Sequence, residues 1–218
     1  MNIAIPIFEG ITALDAIGPY EVLSRLPDAR VRFLTATASA PTAVRTDNRM
    51  LELVAEASLE EVPHPDVLVV PGGISSDRFA DDERYRSWIR TAHATSTWTT
   101  SVCSGALLLA AAGVLDGVEA TTHWLDRERL AARGAIPVED RVVERGKVIT
   151  AAGVSSGIDM ALLLAARIAG DVVAQAIQLV IEYDPQPPFD AGALGKAPPE
   201  AEALVRAAVD ARRARAGV

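Results

Sequence analysis

Strand-like and helix-like segments alternate from one end of this sequence to the other, and that alternation narrows the fold more than any single motif. The clearest strand is Val67–Val70, an unbroken apolar run that stops abruptly at Pro71-Gly72-Gly73. A run apolar on both faces suits the middle of a parallel sheet covered on both sides. Ile3–Phe8, Val31–Thr37, Thr97–Val102 and the short Ala120–Thr122 read as further strands, and Val142–Thr150 as a hairpin turning at Arg145-Gly146. Helices are expected over Asp15–Leu26, over a polar segment with Tyr85, Trp88 and Ile89 on one face, and over Ser104–Leu115 and Leu125–Arg133. A long apolar helix capped at Ser155-Ser156-Gly157 runs to Ile168, another runs from Gly170-Asp171 to near Tyr183, and an amphipathic one starts at Glu200. Thr42–Leu53 is a polar hairpin or excursion, and Asp184–Pro199 a Pro/Gly-rich loop. This order predicts an α/β fold with a mainly parallel central sheet sandwiched by helices. No internal repeat or linker divides it, so residues 1–218 are expected to form one domain.

Charge and cysteine usage exclude several functions. Acidic residues outnumber basic ones, 29 to 21, for a formal charge of -8. That balance disfavours nonspecific binding to nucleic acid or an anionic membrane surface. Arg206, Arg212, Arg213 and Arg215 form a local exception on the final helix, where a solvated helix end favoured by the C-terminal dipole is the reading. A single cysteine forbids an intrachain disulfide and any multi-thiolate metal site. MNIAIPIFEG lacks the basic start and long apolar core of a signal peptide, and the apolar runs Ala106–Leu115 and Met160–Ala169 are too short to span a bilayer. A cytoplasmic, reducing location is expected.

Ligands of open parallel sheets bind beyond the carboxyl ends of the strands. Three such ends carry chemically useful groups. The first strand leads to Asp15, Val67–Val70 leads to Gly72-Gly73, and Thr97–Val102 leads to Cys103 with Ser104-Gly105 opening a helix behind it. A thiol at a helix N-terminus meets the positive dipole end and unpaired N–H groups, both of which favour thiolate. The strand–turn–helix setting also resembles a nucleophile elbow, with Ser101 where G-x-S-x-G has its first glycine. Read singly, Cys103 fits a buried filler, Asp15 a helix N-cap and Gly72-Gly73 a turn. Read together they offer a nucleophile, an acid and amide donors. His123 fits either a catalytic partner of Cys103 or a helix-start histidine, whereas His64 and His93 sit in polar surroundings suited to the surface.

The PGG loop, VCSGALLLAAAGVLDG, TTHW at Thr121–Trp124 and ITAAGVSSGIDMAL at Ile149–Leu162 resemble, in order, the ThiJ/PfpI superfamily. The resemblance runs from Ile3 to about Asp190 and implies a flavodoxin-like, class I glutamine amidotransferase-like fold with its nucleophile elbow at Cys103. Asp15 followed by Ile17-Gly18-Pro19, and YDPQPPFDAG at Tyr183–Gly192, are most similar to the isocyanide hydratase branch. Only one helix follows the Pro-rich loop, so the helix-turn-helix module of the related AraC-type regulators is not expected. Superfamily proteases carry His directly after the nucleophile. Ser104 stands there instead, which argues against amide hydrolysis, and it keeps the hydroxyl of the Thr in the hydratase pattern while dropping a methyl.

The resemblance implies hydration of an isocyanide, R–N≡C, to an N-substituted formamide, with water as the second substrate. Cys103 would attack the terminal carbon to give a thioimidate, and Asp15 would serve as general acid and then general base. Amides near Ile17-Gly18 and Gly72-Gly73, with the Ser104 hydroxyl, would orient water and stabilise developing charge. No metal or organic cofactor and no nucleic-acid or membrane partner is implied, and a homodimer is expected. A glutathione-independent glyoxalase-like stress protein would use the same thiolate on methylglyoxal. A noncatalytic ligand- or redox-sensing domain would turn over neither substrate.

Overall fold

The computed structural model describes residues 1–37 and 41–216. In chain order the elements are β1 (Asn2–Pro6), α1 (Ala13–Leu23), β2 (Arg30–Thr35), β3 (Thr42–Arg45), β4 (Glu52–Ala55), β5 (Ala57–Ser58), β6 (Val67–Val70), α2 (Ser76–Ala80), α3 (Glu83–Thr95), β7 (Trp98–Val102) and α4 (Gly105–Ala111). The rest are β8 (Glu119–Ala120), a 3₁₀ turn (Trp124–Asp126), α5 (Arg127–Ala132), β9 (Ile136–Pro137), β10 (Val142–Arg145), β11 (Val148–Ala151), α6 (Ser156–Ala169), α7 (Asp171–Val180) and α8 (Pro199–Ala216). Seven strands form one sheet in the order β10-β11-β7-β6-β1-β2-β5. All pairings in it are parallel except β10 with β11. The α/β expectation is met.

The sheet reverses direction between β1 and β6, because β1 leads outward to β2 while β6 leads the other way to β7 and β11. Crossovers between parallel strands are right-handed, so helices on the two sides of this reversal cover opposite faces. Accordingly α6 packs between α1 and α7, while α2, α3 and α5 pack around α4. The β6 strand is buried at all four positions, as its apolar run requires. The α3 helix is N-capped by Asp82, which accepts from the Arg84 amide at 2.8 Å, and buries Tyr85, Trp88, Ile89 and Ala92. The polar tips of that face are satisfied: Tyr85 donates to the Ile7 carbonyl at 3.0 Å and Trp88 to the Val62 carbonyl at 3.0 Å.

Several boundaries differ from the sequence reading for local reasons. The first helix begins at Ala13, because Thr12 takes the extended N-cap position and its carbonyl accepts from the Asp15 amide at 3.1 Å. Asp15 is thus inside the first turn and does not cap the helix. The α4 helix ends at Ala111, and the chain turns through Gly113 and Gly117, both at positive φ. Two-residue strands β5 and β9 and the five-residue α2 carry too little periodicity to be read from sequence. Thr42–Leu53 does contain the expected hairpin, formed by β3 and β4. The final helix departs most from expectation. Arg206 and Arg212 are exposed as expected, Arg206 4.7 Å above the Trp124 ring, but Arg213 is half-buried and reaches Asp126 at 2.5 Å, and the Arg215 side chain lies outside what the structure describes. No helix among the described residues is long and apolar enough to cross a membrane.

Candidate active site

The reversal between β1 and β6 leaves a crevice beyond their carboxyl ends. Backbone bonds stitch the loops there: the Thr12 amide donates to the Gly72 carbonyl at 3.0 Å, and the Ile74 amide to the Gly10 carbonyl at 3.1 Å. Cys103 stands at the adjacent end of β7 with φ +57°, a strained value for a non-glycine residue and the backbone of a nucleophile elbow. Neighbours pin that geometry. Its amide donates to the Ala152 carbonyl at 2.8 Å, and its carbonyl accepts from Thr122 Oγ1 at 2.8 Å. Gly105 behind it allows α4 to approach β6 closely, since a Cβ there would lie 2.1 Å from the Val70 carbonyl oxygen.

Asp15 and Cys103 meet in this crevice, Asp15 fully buried and Cys103 6% exposed. The Gly72 amide donates to Asp15 Oδ2 at 3.0 Å. Oδ1 has no partner of conventional hydrogen-bond geometry, and the Cys103 thiol is the side chain that engages the carboxyl group. Burial pushes Asp15 well above the usual carboxylate range. The Gly72 amide and the thiol oppose that shift, and the Asp47 charge adds to it. Burial and the Asp15 charge likewise push the Cys103 thiol up, against the amides of Val154 and Ser104, which favour thiolate. Helix-end electrostatics alone predict a depressed thiol. Desolvation outweighs them here, because α4 has only seven residues and Cys103 is buried. Burial thus disfavours charge on both groups, and the Asp15 charge couples the titration of one to the other.

Ser104 packs against the Gly72-Gly73 loop. Its Oγ accepts from the Gly73 amide at 3.0 Å, donates to the Gly73 carbonyl at 3.2 Å and shares a 2.8 Å hydrogen bond with Ser76 Oγ. A Cβ on Gly72 would fall 2.5 Å from that oxygen. The Gly72 and Gly73 amides are thus occupied in holding Asp15 and Ser104. Ile17 and Gly18 lie further along α1, where Gly18 packs against Ile158, and neither lines the Cys103 cavity. His123 does line it. Its Nδ1 accepts from the Leu125 amide at 3.3 Å, and burial with Arg213 and Arg127 nearby lowers it to about 4, so the ring is neutral with its proton on Nε2. His64 is exposed and His93 half-buried against Thr99, as their polar surroundings suggest. No group of three metal-binding side chains occurs among the described residues.

The cavity over Cys103 encloses about 180 Å³, and α8 closes it with Val209, Arg212 and Arg213. Arg213 pairs with Asp126, which Arg129 also engages, and Arg129 reaches Asp77. Val154, at positive φ beyond β11, supplies both wall and amide. None of these residues was singled out from sequence as part of the site. Val154 lies within the AAGVSSG motif, so a signal existed, but α8 offers none because its contacts span up to 87 residues.

A family model described as DJ-1/PfpI matches residues 1–167. The chain belongs to the DJ-1/PfpI family. Within the wider set of relatives, it is 41% identical over 198 residues to an isonitrile hydratase of Pseudomonas putida, covering 91% of this chain and 85% of that one. A THiJ/PfpI family protein from Pseudomonas syringae superposes with a TM-score of 0.89 at 35% identity, over 100% of this chain and 90% of that one. A helix-turn-helix-type transcriptional regulator, GbdR of Pseudomonas aeruginosa, is 28% identical over 140 residues, 62% of this chain but 37% of the regulator. The DJ-1/PfpI assignment agrees with the parallel sheet and with Cys103 at a strand-to-helix turn.

Proposed function

We propose that this chain, acting as one domain, hydrates isocyanides to N-substituted formamides. The observation that carries the reading is the buried Asp15–Cys103 pair, a carboxyl group engaging a thiol with no histidine directly after the cysteine. The 41% identity to an isonitrile hydratase over nearly the whole chain supports the substrate class.

The chemistry starts from the thiol proton, with Asp15 a carboxylate. Asp15 takes that proton, and the Cys103 sulfur bonds to the terminal carbon of R–N≡C while Asp15 returns it to the same carbon, giving R–N=CH–S–Cys103. Asp15, again a carboxylate, then removes a proton from water as the oxygen attacks that carbon and passes it to the nitrogen. Collapse of R–NH–CH(OH)–S–Cys103 forms the formyl C=O, breaks the C–S bond and returns a proton to the pair. The Val154 and Ser104 amides steady the sulfur when it carries charge, and the Gly72 amide and Ser104 hydroxyl hold the frame.

Formamide formation from para-nitrophenyl isocyanide tests the reading, with methylglyoxal as the control substrate. Cys103→Ala is expected to abolish turnover, and a Cys103→Ala variant working at the wild-type rate ends the covalent mechanism. Lactate from methylglyoxal without formamide would favour the glyoxalase-like alternative. Turnover of neither substrate would favour a noncatalytic ligand- or redox-sensing role.

A further inference from the structure

The Cys103 cavity, at about 180 Å³, is small beside the roughly 300–1,000 Å³ of a typical ligand pocket. It accommodates an isocyano group and a few further atoms, so a larger substituent must leave it. Beside it lies a second cavity of about 580 Å³, and the two share Asp47, Ile74 and Arg212 as walls. The larger cavity also presents Arg49, Arg78 and Glu9.

The charges in this second cavity are unevenly satisfied. Glu9 accepts from the Arg45 amide at 3.0 Å, and Asp47 accepts from Thr12 Oγ1 at 3.1 Å. Among the described residues, the guanidinium groups of Arg49, Arg78 and Arg212 have no ion pair or hydrogen bond, and Arg78 only lies 5.7 Å from the Phe79 ring. Most other arginines of the chain meet a carboxylate, as Arg25, Arg45, Arg129 and Arg213 do. Three exposed guanidinium groups thus face one cavity without a protein partner, in a chain of net charge -8. Guanidinium forks match carboxylates in geometry and charge.

We propose that this second cavity is a subsite for an anionic substituent, and that the natural substrate is an isocyanide whose chain ends in a carboxylate. The isocyano carbon reaches Cys103, and the carboxylate lies between Arg212 on α8, Arg49 on the β3–β4 turn and Arg78 on α2. Arg212 touches both cavities, so it relates the length of the substituent to the position of the reacting carbon. This inference rests on the hydratase reading for the isocyano end. It adds the class of the other end.

The test compares 4-isocyanobutanoate with its methyl ester in the wild type and in Arg78→Gln/Arg212→Gln. The wild-type ratio of kcat/KM, acid over ester, is expected to exceed unity and to fall about tenfold or more in the double variant, as loss of charge-assisted hydrogen bonds implies. It should also fall as salt is raised. A second arm needs no turnover: N-formyl-4-aminobutanoate, more than its methyl ester, should protect Cys103 from iodoacetamide in the wild type and lose that advantage in the double variant. Selective protection without hydration removes the hydratase reading and leaves the subsite. Hydration with an acid-to-ester ratio near one, or a ratio unchanged in the double variant, overturns the subsite and leaves the hydratase reading.

Discussion

The Gly72 amide holds Asp15 Oδ2 at 3.0 Å across 57 residues of sequence, and so fixes the carboxyl group that engages the thiol of Cys103. One backbone bond between the loop after β6 and the first turn of α1 thereby orients the acid of the site.

Asp15→Asn should lower hydration by about 10²–10⁴-fold, the usual cost of losing a positioned acid or base. The same change removes a charge that pushes the thiol up, so alkylation of Cys103 by iodoacetamide should shift to lower pH. A thiol that becomes less reactive at pH 8 would contradict the coupling of the thiol to the Asp15 charge.

Stability should move the opposite way from activity in that variant. The folded carboxyl is held above its unfolded value, so the unfolded chain sheds its proton first and stability declines as pH rises above about 4. Asparagine escapes that penalty. Thermal melts should show Asp15→Asn more stable than wild type at pH 7, with the gap closing toward pH 4.

His123 gives the reverse sign. Its folded value of about 4 lies below the ordinary 6.5, so between those limits the unfolded chain binds the extra proton. Stability is full above about pH 6.5 and falls as pH drops toward 4, by up to about 3 kcal/mol from this group. Urea titrations at pH 7 and pH 5 should show that loss in the wild type and less of it in His123→Gln.

Gly105→Ala sets two effects against each other. Alanine favours a helix over glycine by about 1 kcal/mol, but its Cβ would sit 2.1 Å from the Val70 carbonyl oxygen. Overpacking typically costs about 1–3 kcal/mol and can cost more, so net destabilisation is expected in urea. An unchanged midpoint would mean that α4 can retreat from β6.

Ser104→Ala should cost about 1–3 kcal/mol, because the Gly73 amide loses its acceptor and Ser76 its partner. Ser104→Thr, which keeps the hydroxyl, should recover most of the loss. Equal destabilisation by both would show that space around Gly72, and not the hydroxyl, decides the position.

The sequence by itself determined the alternation of strands and helices, the buried β6 strand, and the placement of Asp15 and Cys103 at strand ends. Those features rest on local periodicity and on residues that stop strands, which neighbours in sequence express. It also pointed to the family through motifs that are contiguous in sequence. The upward shift of both groups of the pair was not legible, because burial, which no local pattern measures, outweighs the short helix behind Cys103. Nor was the occupation of the Gly72 and Gly73 amides, whose partners lie 57 and 31 residues away. Least legible was α8, read as a solvated end, which folds back so that Arg213 meets Asp126 across 87 residues and Val209 and Arg212 wall the cavity. Tertiary packing decided these, since the energy of a buried charge depends on what surrounds it in space.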